Sequence, residues 1–186
     1  MHRLILLFCF VVTTAQAQDR ALHIFLGVPM GTFGESSLKL SPRPGFAIGF
    51  DYWAENAKGH IWSLGANYTL FSRSNETQKE TFEYLTVRAM PIAWNLDKHK
   101  KWYFQLGIFG NYLLHQEFQE AGSVVNNTTI IQRAYLGPSA GFGVRLGEAG
   151  KSRILFGLRD DFGALGFGKG IVRKFNTITL FAGLEL

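Results

Sequence analysis

Apolar residues alternate with small or polar residues over most of this chain, and no other feature constrains its fold as strongly. Near the end, one parity carries Ile178, Leu180, Ala182, Leu184 and Leu186, and the other carries Thr177, Thr179, Gly183 and Glu185. A period of two is that of a β-strand, whose successive side chains point to opposite faces. The pattern recurs around 61–70, 102–114 and 135–146, so we expect an all-β protein.

Periodicity and turn residues together predict eight strands. They fall at about 21–29, 45–54, 60–72, 81–95, 102–115, 133–146, 152–164 and 174–186. The long predicted connections are 30–44, 73–80, 116–132 and 165–173, and the short ones are 55–59, 96–101 and 147–151. Long and short connections therefore alternate along the chain, which is typical of an up-and-down outer-membrane barrel with short turns at one rim and longer loops at the other.

The two faces of each strand differ in a way that separates a membrane barrel from a soluble one. One face is almost continuously apolar, and the other mixes Gly, Ser, Thr, Asn and Gln with scattered charges. A membrane barrel turns its apolar face towards lipid, whereas a lipocalin-type barrel encloses it. A helical span is excluded because polar residues interrupt every apolar window of helical length. The sequence thus predicts an eight-stranded antiparallel up-and-down transmembrane β-barrel, and a soluble secreted barrel is the alternative.

Five aromatic residues fall near the predicted short-turn ends of their strands, namely Trp53, Trp62, Trp94, Trp102 and Tyr103. Aromatic girdles mark the two interfaces of a membrane barrel, so we expect these residues at the lipid headgroups. The alternative is that they are ordinary core aromatics.

Residues 1–17 have the pattern of a secretory signal peptide. A basic start at His2-Arg3 precedes the apolar run 4–12, and Ala15-Gln16-Ala17 supplies a small–x–small cleavage pattern. The barrel domain would then be 18–186, without a thiol because Cys9, the chain's one cysteine, lies in the leader. Export and the two strand faces together point to a bacterial outer membrane.

The formal net charge of +5 comes from scattered basic residues, most of which, including Arg73, fall in predicted loops and turns. No aromatic–basic stripe of a nucleic-acid-binding protein is present, so we expect no nucleic-acid partner. These cations would instead lie in solvent and against lipid headgroups.

Six charged residues fall on inward-facing positions, and we predict that they form a polar network in the lumen: Asp51, Arg88, Arg145, Arg159, Asp161 and Glu185. Burying such groups unpaired is costly, so they should pair. The interior of an eight-stranded barrel is just wide enough for side chains to fill it. The alternatives are a proton or ion path and an acid pair for hydrolysis, although Asp160 falls on the outer face.

Catalytic signatures are weak. His60 and Ser63 fall on opposite strand faces, and His115 begins a predicted outer loop beside Glu117 and Glu120. A lipid-modifying site at His115 stays an alternative, but the pattern favours a protein that is not an enzyme and has no metal or cofactor. The largest predicted loop, 116–132, reads as polar throughout and is the best candidate for contact with a protein partner.

Four segments resemble the PorT-like outer-membrane β-barrel proteins of Bacteroidetes: YLTVRAMPIAWNL at 84–96, WYFQLG at 102–107, GPSAGFG at 137–143 and RDDFG at 159–163. The resemblance implies an integral outer-membrane protein, in some relatives linked to protein secretion and gliding, and it carries no catalytic residues. Many outer-membrane barrels end in Phe, whereas this chain ends in Glu185-Leu186.

We therefore predict a structural or interaction component that presents long outer loops on a plugged barrel. A narrow channel or transporter and a lipid-modifying enzyme at the rim are the alternative functions.

Overall fold

In a computed structural model of the chain, the described residues are 17–33, 39–56, 60–120, 122–126, 132–148, 151–167 and 175–186. They form β1 (Ala17–Phe33), β2 (Ser41–Asn56), β3 (Ile61–Ser74), β4 (Gln78–Asn95), β5 (Trp102–Glu120), β6 (Ser123–Asn126), β7 (Ala134–Leu146), β8 (Arg153–Gly163), β9 (Leu165–Phe167) and β10 (Phe175–Glu185). The predicted signal peptide lies outside the described residues apart from Ala17, where β1 begins.

Eight of these strands close into an antiparallel up-and-down barrel. Each of the eight pairs with the next barrel strand along the chain, and β10 pairs with β1 to close the cylinder. The short strand β6 folds back on the last residues of β5, and β9 pairs with the first residues of β7. The predicted fold class is confirmed.

The cross-strand register keeps apolar side chains outside. Leu180 pairs with Val28 on one side and Leu158 on the other, while the next residue, Thr179, pairs with Pro29 and Arg159. Leu180 is 53% exposed and Thr179 is 6% exposed, so the alternation seen in the sequence separates an apolar outer surface from a polar interior. A one-residue slip would reverse every face, which is why the two-sided pattern fixes the register. Among the described residues, no helix is long and apolar enough to cross a membrane.

We call the end where β1 begins and β10 ends the lower rim, and the opposite end the upper rim. The sequence predicts a long loop over 73–80 at the upper rim, and this prediction is wrong. β3 and β4 stay paired as far as Ser74 and Lys79, which leaves the three-residue turn 75–77. The Asn75 side chain shapes this turn by accepting the backbone N–H groups of Thr77 at 3.0 Å and Gln78 at 2.7 Å.

The predicted loop 116–132 needs a similar correction. β5 continues to Glu120, paired with β4, so His115 lies inside a strand and does not begin a loop. β6 then returns along β5, with Val124 57% and Val125 50% exposed, so this segment is not polar throughout. Strand pairing continues here because β4 supplies a partner for every one of these residues.

The lower-rim turn 96–101 is organised by one carboxylate. Asp97 Oδ1 accepts the backbone N–H groups of Trp102 at 2.7 Å and Lys101 at 2.8 Å, and Oδ2 accepts that of His99 at 3.1 Å. These bonds, that from Trp102 first, hold the pKa of Asp97 below its ordinary value. Lys100 completes the turn with a left-handed φ of 55°.

The predicted aromatic girdle is only partly present. Trp94 and Trp102 are 46% and 45% exposed on the outer face, and Trp62 is half-buried there. Trp53 and Tyr103 instead point into the barrel, because they share parity with the inward residues Asp51 and Gln105. Their ring centroids lie 5.0 Å apart, in an edge-to-face contact.

Two aromatic layers fill the two ends of the interior. The upper layer contains Phe71, Phe82, Tyr84, Phe109, Leu113 and Tyr135. The lower layer contains Phe25, Trp53, Ile61, Ala93, Tyr103 and Phe181.

Candidate functional site

A buried ion pair joins opposite walls of the barrel. Arg88 on β4 donates from Nε to Asp161 Oδ1 on β8 at 3.0 Å, and its Nη2 also contacts that carboxylate. Ser139 Oγ donates to Asp161 Oδ1 at 2.6 Å, and Asn67 accepts a further bond from Arg88. Neither strand neighbours the other in the sheet, so this contact crosses the lumen.

A second pair crosses between β8 and β2. Arg159 Nη2 lies 2.6 Å from Asp51 Oδ2, and the two side chains are 3% and 6% exposed. The Arg159 guanidinium also lies 5.1 Å from the ring centroids of both Phe25 and Phe181. Cation–π contact and the carboxylate together compensate the loss of hydration.

A third cluster is built around Glu185 near the lower rim. Arg153 Nε donates to Glu185 Oε1 at 2.6 Å, His23 Nε2 lies 2.8 Å from Oε2, and Arg145 Nε lies 3.4 Å from Oε2. All six residues that the sequence placed inside are buried, and each has an opposite charge within this set.

Among the described residues, one buried histidine and three buried charged residues were not in the network predicted from the sequence. His23 and Arg153 are the direct cross-strand partners of Glu185, a relation visible only once the register is known. Arg73 and Glu80 lay in a predicted loop, yet they are 3% and 2% exposed and pair from Arg73 Nε to Glu80 Oε2 at 2.9 Å. Strand parity would have found them had β3 and β4 been extended.

Little free space remains beside the central pair. A cavity of about 10 Å³ is bounded by Arg88, Asp161 and the side chains of Thr69, Thr86 and Asn111, among others. A water molecule needs roughly 10–15 Å³, so the cavity holds about one.

The structure shows where the residues of two catalytic alternatives lie. Asp160 is exposed on the outer face while Asp161 is buried inside, so the two carboxylates cannot face each other. His115 is partly exposed, with Nε2 3.8 Å from Glu117 Oε2 and Nδ1 3.4 Å from the Asn126 amide.

An apolar outer belt around a sealed backbone and a charged interior defines the class of protein. It is an eight-stranded transmembrane β-barrel of the kind found in bacterial outer membranes.

Among solved structures, one match supports the barrel fold. The chain is similar to Neisserial surface protein A, with a TM-score of 0.57, 13% identity, and coverage of 91% of this chain and 97% of that one. It also matches Ail, the attachment invasion locus protein of Yersinia pestis, with a TM-score of 0.48, 17% identity, and coverage of 90% and 97%. No family model matches the chain, and no curated protein sequence matches it. The resemblance to PorT-like proteins therefore stays a prediction.

Proposed function

We propose that this protein is a plugged scaffold of the bacterial outer membrane that presents an extended arm to a protein partner and acts in protein secretion. The single observation that carries the scaffold part is the set of ion pairs that tie β4 to β8 and β8 to β2 across the lumen. The link to secretion rests on the resemblance to PorT-like proteins.

The energetics of the interior support a plug. A solute path would have to separate buried charge pairs, and leaving one such charge unpaired costs about 3–5 kcal/mol. The aromatic layers above and below would also have to move. Together these costs favour a closed lumen over a narrow channel.

Conductance distinguishes a plug from a channel. The purified protein, reconstituted in a planar bilayer, is expected to show no unitary current steps, while a large porin inserted in parallel gives them. Reproducible steps from the wild-type barrel that change when Arg159 is replaced by Gln would support the channel alternative and overturn the plug.

The partner contact is assigned to what we call the upper-rim arm, which consists of 78–83 of β4, 115–120 of β5, and β6 (Ser123–Asn126). Above Leu85 the outer face of β4 becomes polar, with Glu83, Thr81 and Lys79 in place of apolar residues. β5 continues for six residues beyond Leu114, a strand length of roughly 20 Å at 3.3 Å per residue. The arm therefore extends past the apolar belt.

Two exposed valines support the arm as a contact site. Val124 and Val125 lie on β6, which among the described residues pairs with β5 alone. Because neighbouring residues on a strand point to opposite sides, both faces of β6 carry exposed apolar area that a partner can contact.

The partner contact is tested with a matched pair of variants. Val125→Asp should reduce secretion of client proteins into the medium, because it places a charge on the proposed contact. Thr77→Asp adds the same charge in the neighbouring upper-rim turn and should leave secretion unchanged. Both variants must be present in the outer membrane at the wild-type level. Normal secretion both with Val125→Asp and with β6 (Ser123–Asn126) deleted would contradict this part of the proposal.

A further inference from the structure

We propose that the lower mouth of the barrel binds a phosphate-type oxyanion, a role separate from that of the upper-rim arm. A cavity of about 460 Å³ opens there. This volume lies within the range of small-ligand sites, roughly 300–1,000 Å³. Five cationic side chains line it: Arg20, Lys100, Arg145, Lys151 and Arg153.

Charge in this mouth is unbalanced. The five cations face two lining carboxylates, Glu55 and Glu185, and Lys151 also pairs with Glu148 at 2.6 Å, which leaves an excess of two positive side-chain charges. Glu55 is engaged by Lys100 at 2.7 Å, and Glu185 is shared by Arg145 and Arg153. Because the Glu185 carboxylate carries one negative charge and the two guanidinium groups carry two positive charges, one positive charge remains uncompensated among these buried side chains.

Arg145 is the best-formed part of the site. Its side chain is 4% exposed, and its guanidinium carbon lies 4.6 Å from the Trp53 ring centroid and 4.9 Å from that of Tyr103. Its Nη1 donates to Asn95 Oδ1 at 3.3 Å and to the Lys100 carbonyl oxygen at 3.5 Å, and its Nε is in ion-pair contact with Glu185 at 3.4 Å. Nη2 makes no hydrogen bond with any described residue. The rings thus hold a planar donor group in place with bonding capacity left over.

The ligand class follows from these donors. Guanidinium forks bind carboxylates and phosphates through two parallel bonds, and lysine ammonium groups add point charge. An excess of two charges favours an anion with two negative charges over a single carboxylate. A phosphate group meets both requirements, whether it is free or part of a lipid headgroup beside the lower rim.

The test uses the purified full-length barrel in a sugar-headgroup detergent and a phosphate-free buffer. Inorganic pyrophosphate is titrated by calorimetry, and phosphatidic acid is titrated in mixed micelles while tryptophan fluorescence is followed, since Trp53 borders the site. Saturable binding of pyrophosphate identifies a free anion as sufficient, and binding of phosphatidic acid alone identifies the headgroup as the source. Binding of neither ligand overturns the proposal.

Variants place the site. Lys151 is 74% exposed and lines the mouth, so Lys151→Gln leaves the fold intact and should weaken binding about threefold, the effect of one exposed charge. Arg145→Gln should weaken it about tenfold or more, because charged hydrogen bonds are lost. Lys98→Gln, in the neighbouring turn but outside the cavity lining, is the control with the same charge change. Equal weakening by Lys98→Gln and Lys151→Gln would show a non-specific charge effect and overturn the site.

Discussion

Replacing one residue of the Arg88–Asp161 ion pair should destabilise the barrel more than replacing both residues. In Arg88→Met the Asp161 carboxylate keeps one hydrogen bond, from Ser139 at 2.6 Å, and loses its opposite charge. In Asp161→Leu the Arg88 guanidinium keeps Asn67 and loses its carboxylate. Both side chains are 4% exposed and the cavity beside them holds only about one water molecule, so bulk water cannot replace the missing charge.

The expected magnitudes differ sharply between single and double variants. Breaking one partner of a buried pair costs about 3–5 kcal/mol, whereas replacing both partners by apolar groups of similar volume is close to neutral. Arg88→Met and Asp161→Leu should therefore each destabilise the barrel by about 3–5 kcal/mol. The double variant should lie within about 1–2 kcal/mol of the wild type, which corresponds to a coupling energy of several kcal/mol.

Urea unfolding and refolding in lipid vesicles, followed by tryptophan fluorescence, measures these free energies. Boiled and unboiled samples run on a gel check that each variant reaches the folded barrel. If the single variants lie within about 1 kcal/mol of the wild type and their effects add, Arg88 and Asp161 are hydrated, and the account of a plugged lumen is wrong.

Three further changes test the wall, the lipid face and a turn. Gly107→Ala should lower the free energy of unfolding by about 1–3 kcal/mol, because the added Cβ would lie 2.1 Å from a backbone oxygen of β4. In Gly110→Ala the nearest atom would lie 3.7 Å from the added Cβ, so this variant should be as stable as the wild type. Urea unfolding compares the two variants. Leu180→Lys lies in the middle of a lipid-facing strand and should destabilise the barrel in vesicles by about 2–4 kcal/mol. Leu96→Lys lies in a lower-rim turn and should destabilise it by only about 0–1 kcal/mol. Equal destabilisation by the two variants would contradict the lipid contact of β10. The lowered pKa of Asp97 means that its stabilisation is present above the unfolded-state pKa and is lost as pH falls through the folded-state pKa. The stability difference between the wild type and Asp97→Ala should therefore disappear in acid, and a difference that persists unchanged would contradict this role.

The sequence could predict the barrel because apolar and polar residues alternate over long stretches of the strands that have lipid on one side, although a bulge between Ala89 and Ile92 interrupts the alternation in β4. Leu180 and Thr179 differ in exposure by 53% against 6%, and that contrast is already visible in their hydropathy. Beyond the apolar belt this signal disappears. Residues 115–120 are strand residues with the composition of a loop, since both strand faces there meet water or polar groups.

The candidate site also has a part that the sequence predicts and a part that it does not. Parity was enough to place Arg88 and Asp161 on inward positions. The partnership of His23, Glu185 and Arg153 depends on cross-strand register, which no local pattern encodes. Trp53 and Tyr103 lie close to turns, which predicts the lipid headgroup region, but their strand parity is that of inward-facing residues, and parity decides where they point.

The direction in which the alternating side chains of β10 point can be measured directly. Single cysteines at 177–184, introduced into a chain beginning at Gln18, carry spin labels in reconstituted vesicles, and collision with oxygen is compared with collision with a water-soluble nickel complex. Labels at Ile178, Leu180 and Leu184 should meet oxygen dissolved in the lipid, and labels at Thr177 and Thr179 should be shielded from it. A reversed or absent alternation would contradict the arrangement of faces on which this account depends.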